Sequence, residues 1–373
     1  MPECINPLWP CALTGAAACL AGFRDVGVII HGSSGCYFYP ATVLHAPLHC
    51  TCLNEEDIIF GTEQALLRTV EALEGRYERL AVLCTCVPTI TGEDFGKVLK
   101  GRDILVMESP GFIGEYEAGY KAAAQLLGLK EDSSSGKVNV DGLSLMDPFS
   151  RGDGIEVERM LSLAGIRVGA RFFAGDLSIS SPIAPFTVTT NPDLASGIGR
   201  LLGSLFGLPG IPGVLKEIDR SVGVEGERLE TEIRDAEERI SAACDKYLRR
   251  FEPPDVALFG QFSRMAALAE MLDEYLDATI LGIGSRNPPG PSPYRSFQAR
   301  EISSVETMFS EEIPELVLGS SFEQSLSPES AFVGVTPPLR GEVRLHSRPM
   351  AGIQGSLAFM ESVLNACINR QKG

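Results

Sequence analysis

Short, nearly unbroken apolar runs alternate along the chain with stretches in which apolar residues return every three or four positions. VGVIIHG (26–32), RLAVLCT (79–85), DILVMESP (103–110) and VNVDGLSLM (138–146) have the length of strands buried on both faces. Between the first two, Glu63–Leu73 has helical spacing. A second set follows in GIRVGARFF (165–173) and APFTVTTN (184–191), and the spacing predicts a helix over DLASGIGRLLGSLFG (193–207). The third set is PDVALFGQ (254–261), a helix around 264–275, ATILGIG (278–284), AFVGVTPP (331–338) and a closing helix over 355–369. Strands alternating with helices predict βαβ units and parallel sheets, here an α/β chain of three Rossmann-like modules. The expected divisions are 1–150, carrying the metal site discussed below, 151–252, ending in a long helix, and 253–373.

That long helix, expected over about 225–251, is mostly polar. Leu229, Ile233, Ala236, Ile240, Ala243, Tyr247 and Phe251 form a single apolar stripe, which predicts a connector docked on the second module. Pro253 and Pro254 would stop it. The segment SRNPPGPSPYRSFQARE (285–301), with three arginines, reads as an ordered functional loop.

A chain of 373 residues can build two or three full cores, so its ten cysteines are not needed as staples. They call for chemistry or for ordinary burial. The apolar run 16–23 is short, no basic segment precedes it, and nothing reaches the roughly 18 apolar residues of a membrane span. The expectation is a cytoplasmic protein without a membrane anchor, with reduced thiols. A net charge of −17 argues against nucleic acid, whose phosphates are met by Lys and Arg.

Cys11 opens a small-residue stretch, Cys36 follows a strand on a Gly-Ser-Ser-Gly loop, and Cys86 leaves another strand. Sites in parallel α/β modules collect at the carboxyl ends of strands, which puts Cys36 and Cys86 on one rim. Three thiolates on loops suit an iron–sulfur cluster, with Gly32 and Gly35 letting backbone N–H groups approach its sulfurs. The plain alternative is that cysteines are small buried hydrophobes, the default for Cys19, Cys244 and Cys367 on helices. Cys84 shares a strand face with Cys86 and competes for its role, while Cys4 is a terminal thiol or spare ligand. Zinc fits less well, since no Cys-x-x-Cys pair exists and the four histidines, His31, His45, His49 and His346, form no ligand grid. The rival site is LHAPLHCTC, where Cys50 and Cys52 lie near His45 and His49.

Nucleotide motifs are missing. GLKEDSSSGKV places Gly128 and Gly136 too far apart and has Val138 where a P-loop needs Ser or Thr. In GIGRLLG (197–203) the third glycine comes one place late for a dinucleotide fingerprint. Any ATP or nicotinamide would act through a partner.

Cys11, HGSSGC ending at Cys36, CVPTITGED beginning at Cys86 and the C-terminal RPMAGIQGSLAFMESVLN resemble, in this order, motifs of the nitrogenase component 1 superfamily. The resemblance runs over nearly the whole chain. It implies a cluster held by Cys11, Cys36 and Cys86. It also implies that TVTTNPD (187–193) and Ala351 stand where nitrogenase proper carries the Cys and His ligands of its large cofactor. With both missing, in a chain shorter than a nitrogenase subunit, the sequence is most similar to the tetrapyrrole-reducing branch. Within it, the closest likeness is to the CfbD family, catalytic subunits of Ni-sirohydrochlorin a,c-diamide reductive cyclase in coenzyme F430 biosynthesis. What this implies is a homodimer with a 4Fe-4S cluster, a nickel tetrapyrrole substrate, and a CfbC-like ATP-hydrolysing iron–sulfur reductase that docks and delivers electrons. Another nitrogenase-like reductase with a protochlorophyllide-type substrate, and a non-catalytic scaffold for metallocofactor assembly, are the alternatives.

A polycarboxylate macrocycle needs cations, for which Arg286 and Arg295 of the Pro-rich loop and Arg348 beside the C-terminal motif are the candidates. His346 is the candidate proton donor, and His31 a structural group near the cluster.

Overall fold

The run Val26–His31 (β1) is buried at every position, as expected for a strand covered on both faces. Val28 and Ile30 pack on one side of the sheet with Ala81 and Leu83, and Ile29 on the other with Val82 and Cys84. Leu48–Cys50 (β2), Arg79–Cys84 (β3) and Ile104–Glu108 (β4) complete a parallel sheet in the order β2-β1-β3-β4. These relations come from a computed structural model that describes residues 8–224 and 226–371. Cys4 and Glu225, the expected start of the long helix, lie outside the described residues.

The second parallel sheet has the order β6-β5-β7-β8, from Lys137–Asp141 (β5), Arg167–Arg171 (β6), Phe186–Thr189 (β7) and Arg200–Ser204 (β8). The third has the order β11-β10-β9-β12-β13, from Asp255–Gly260 (β9), Thr279–Ser285 (β10), Ser296–Gln298 (β11), Leu316–Gly319 (β12) and Ala331–Gly334 (β13). In each sheet the order reverses once, between β1 and β3, β5 and β7, and β9 and β12. Crevices open beyond the strand ends at such points.

Four expectations need correction. β5 belongs to the second sheet rather than the first, fixed there by pairing with β6 and β7 and by the buried Asn139, whose Nδ2 donates to Ala184 O at 2.7 Å. Residues 193–207 are not a helix. Gly197 and Gly199 adopt positive φ, which ends the short 3-10 turn Pro192–Leu194 and sends the chain into β8. The long helix, Glu227–Leu248, buries Cys244 in its stripe and leaves Ala243 exposed. It packs on Gly352–Arg370 and Phe262–Leu276 as well as on Ser150–Leu163, and so wedges between the second and third modules.

The helix Ala12–Ala21, nearly all small residues, is buried almost throughout against Tyr116–Leu126. The two backbones meet at glycines. A Cβ on Gly15 would lie 1.8 Å from Tyr116 O, and one on Gly119 would lie 1.8 Å from Ala12 O. This contact sets where Cys11, the residue capping the helix, stands relative to the first sheet.

Candidate metal centre

β1 ends at His31, and Gly32 and Ser33 lead into the helix Ser34–Leu44, which carries Cys36 in its first turn. β3 ends at Cys84, and Thr85 caps the short helix Cys86–Thr91. β1 and β3 flank the point of sheet reversal, so both thiols stand at the crevice where a parallel sheet collects its ligands. Cys11 comes in from the N-terminal helix.

All three thiols line one cavity of about 260 Å³, together with Trp9, Tyr39, Thr85 and Gly111 among others. Among the described residues no carboxylate or imidazole lines it. Each of the three cysteines is half-buried. The Gly111 N–H donates to Cys86 Sγ at 3.1 Å, and the buried Thr85 Oγ1 has no hydrogen-bond partner among the described residues. No three His, Cys, Asp or Glu among the described residues are grouped tightly enough to hold a single metal ion. A donor set that is all sulfur, spread around a cavity and met by a backbone N–H, fits a polynuclear iron–sulfur group in chemistry and in scale.

The remaining thiols differ. Cys84 is fully buried, and burial pushes it up to about 12. Its strand neighbours set its face, whereas Cys86 lies past the strand end, where alternation no longer applies. Burial raises Cys19 well above its ordinary value, and lifts Cys244 and Cys367 to about 11, which is the behaviour of packing residues.

The rival residues form no group of three able to hold a metal ion among the described residues, although the Cys52 N–H donates to Cys50 Sγ at 3.2 Å. His49 Nε2 lies 2.8 Å from Tyr77 Oη, and His45 closes a helix in the left-handed region. Cys52 is exposed, while burial pushes Cys50 up to about 12.

Gly32 serves another purpose than the one expected. Its N–H donates to Thr51 Oγ1 at 3.1 Å, and a Cβ there would sit 2.1 Å from Thr85 Oγ1. His31 is wholly buried between Thr51 Oγ1 at 3.1 Å and Thr62 Oγ1 at 2.9 Å, and burial depresses it to about 4.

The arginine and proton-donor candidates are not brought together at the cavity. Arg286 is completely buried, donating to Glu323 Oε1 at 2.5 Å and to Ala299 O at 2.9 Å, so it fastens its own loop and is closed to a ligand. Arg295 is exposed and paired with Glu311 at 2.8 Å. Arg348 donates to Ala358 O and Ser362 Oγ in the middle of the closing helix Gly352–Arg370, beside a separate cavity of about 240 Å³. His346 stands exposed on the segment before it.

A second region carries residues that no motif pointed to. Where the three modules meet, Trp9, Tyr116, Asp147, Gln261, Arg264 and Thr336 enclose about 10 Å³, the lower limit for one water. The buried Arg264 donates to Asp147 Oδ2 at 2.5 Å, lies 3.8 Å from Asp153 Oδ2 and stacks 4.7 Å from the Phe206 ring. Asp153 in turn accepts from the N–H groups of Met350 and Ala351 at 2.6 and 2.8 Å. Glu117 accepts from Trp9 Nε1 at 3.0 Å and Gln261 Nε2 at 2.5 Å. Burial lifts both Glu117 and Asp153 to about 7.

Three parallel α/β modules with a thiol-lined cavity at the first switch point define the architecture. The chain matches the family described as Nitrogenase component 1 type Oxidoreductase over residues 11–368, and belongs to it. It is 23% identical over 309 residues to the nitrogenase iron-molybdenum cofactor biosynthesis protein NifE of Clostridium pasteurianum, across 73% of this chain and 67% of that protein. With the nitrogenase molybdenum-iron protein beta chain of Sinorhizobium fredii the match is 25% identical over 189 residues, 43% of this chain and 36% of the relative. Among solved structures, nitrogenase Cp1 at pH 6.5 superposes with a TM-score of 0.82 at 17% identity, covering 98% of this chain and 94% of that one, a likeness of fold. No described helix is long and apolar enough to cross a membrane.

Proposed function

We propose that the chain is the catalytic subunit of a nitrogenase-like reductase, with a 4Fe-4S cluster held by Cys11, Cys36 and Cys86 supplying single electrons to an unsaturated tetrapyrrole. The substrate proposed is Ni-sirohydrochlorin a,c-diamide, whose ring double bonds are reduced while an amide-bearing side chain closes to a lactam, in coenzyme F430 biosynthesis. A CfbC-like partner hydrolyses ATP and delivers the electrons, and two copies of the chain form a cytoplasmic homodimer. The sequence agrees with this division of labour, since it contains no P-loop.

The observation that carries the reading is the pairing of a kept site with a missing one. Three thiols share the first cavity. Residues 187–193 contain no cysteine, and Ala351 is fully buried with its N–H committed to Asp153. Supporting the homodimer, Phe38, Ile90 and Ile113 are exposed apolar residues on the elements that carry the cavity wall, and a second copy would cover them.

A cavity of about 550 Å³ lies at the carboxyl ends of β5 and β6 and has the size of a ligand site. It shares Ser144 and Asp147 with the junction, which shares Trp9 with the cysteine cavity. At its edge Arg151 has no ion pair among the described residues, and is a better carboxylate partner than Arg286. Glu117, hydrogen-bonded to Trp9 and lifted to about 7, is a better-placed proton-holding group than the exposed His346.

The test is turnover with an ATP-hydrolysing iron–sulfur reductase. The proposal expects ATP-dependent loss of the nickel substrate's absorbance and none with a magnesium protochlorophyllide. A second reading, a scaffold on which a metallocofactor is assembled, is favoured by the names of the NifE relatives. Cofactor carried and released without turnover of either tetrapyrrole would establish it instead.

A further inference from the structure

The turn that follows Cys86 reaches Thr62, at the start of the helix Glu63–Leu73, and through it His31 before the Cys36 loop. Glu93 accepts the Thr62 N–H on both carboxylate oxygens, at 3.0 and 3.1 Å, and the Thr62 hydroxyl at 2.6 Å. A threonine hydroxyl has one proton, and a carboxylate oxygen at 2.6 Å takes it. Thr62 Oγ1 must therefore accept from His31 Nε2 at 2.9 Å, which fixes the imidazole as the Nε2–H tautomer. His31 Nδ1 is then an acceptor and receives the Thr51 hydroxyl at 3.1 Å, in preference to the Gly32 carbonyl at 3.4 Å, which already accepts the Leu53 N–H at 2.9 Å. The lone pair left on Thr51 Oγ1 receives the Gly32 N–H at 3.1 Å.

We propose that Glu93 is a positioning residue for the two cysteine loops: by fixing the tautomer of His31 through Thr62 it holds Gly32, and with it the Cys36 loop, in register with the Cys86 turn. With the opposite tautomer His31 would need the Thr62 proton, and Glu93 Oε2 would face a bare oxygen at 2.6 Å. His31 packs edge-on to Phe95 at 4.8 Å and is wholly buried, so no water replaces a lost partner. The Cβ-less Gly32 rests against Thr85, the cap of the Cys86 helix, which closes the link from its other side.

The consequence for metal binding rests on reading the cavity as a cluster site. The tautomer does not, and it is measured first. In metal-free protein labelled with 15N-histidine, side-chain NMR is expected to show His31 as the Nε2–H form. Thr62→Val and Glu93→Ala should lose that single form, and Thr62→Ser should keep it. After anaerobic reconstitution, iron retained per chain should fall by about tenfold in Glu93→Ala and Thr62→Val and return in Thr62→Ser. If Glu93→Ala does not fold, the Val and Ser variants at Thr62 give the same contrast. An Nδ1–H form in the wild type, or an unchanged tautomer in the folded Thr62→Val and Glu93→Ala variants, overturns the proposal. A wild type that takes up no iron overturns the functional reading instead, and leaves the tautomer to decide this one.

Discussion

The cysteine cavity and the three-module junction sit at equivalent places, each beyond the carboxyl ends of parallel strands where sheet order reverses. Their contents are opposite. The first offers sulfur, one backbone N–H and a hydroxyl without a partner among the described residues around about 260 Å³, under half-exposed thiols. The second is packed shut around the buried Arg264, with Asp147, Asp153 and Glu117 about it. The fold supplies the place for a site, and side-chain chemistry decides whether it opens to a soft metal group or is filled by charges that satisfy one another. A charge network so far from water is stable only if each partner stays.

The sharpest way to break the contrast is to remove the cation. Arg264→Ala leaves Asp147 and Asp153 buried without their partner and should lower unfolding stability by about 3–5 kcal/mol in urea titration, while leaving the cysteine cavity able to bind iron in whatever fraction folds. Gly119→Ala forces a Cβ against Ala12 O and should cost about 1–3 kcal/mol. Because it displaces the helix capped by Cys11, it should also reduce iron uptake.

The two regions should respond to pH with opposite sign. His31 titrates near 4 when folded and near 6.5 when unfolded, so its contribution is complete above about pH 6.5 and is lost as pH falls toward 4, by up to about 3 kcal/mol. Glu117 and Asp153 are raised to about 7, so the folded state binds their protons more tightly and stability falls as pH rises from about 4 to 7. The two contributions oppose one another over the same range, so in thermal melts between about pH 4 and 7 His31→Gln should remove a stabilisation that grows with pH, and Glu117→Gln should remove one that shrinks with pH. The smallest effect is expected at Arg295, exposed and paired with Glu311: Arg295→Gln should change neither melting nor iron content.

The strands were legible because apolar runs buried on both faces leave little choice of period, and β1, β3, β4, β6, β7, β9 and β13 all fall within the runs read as strands, with β10 running one residue past its own. Residues 193–207 misled because Leu and Gly at helical spacing hide the positive φ that Gly197 and Gly199 adopt. Module membership of β5 depends on pairing with strands far along the chain, which local pattern does not contain. At the site, Cys11, Cys36 and Cys86 were picked by their place at element ends, and they do share a cavity. Arg264 looked like any helix residue, and Arg286 looked available on a Pro-rich loop. Only tertiary contacts show that both are buried in ion pairs. Glu93 was visible as part of a turn motif, but its reach to Thr62 across 31 positions was not.

The most direct measurement is the iron and sulfide content, with the EPR spectrum after dithionite, of anaerobically reconstituted protein beside Cys11→Ala, Cys36→Ala, Cys86→Ala and Cys50→Ala. Bound iron that is lost or altered in each of the first three variants and kept in Cys50→Ala is the expected result. Protein that stays iron-free, or a signal that follows Cys50 and ignores Cys11, Cys36 and Cys86, would contradict the assignment of the cavity as a cluster site.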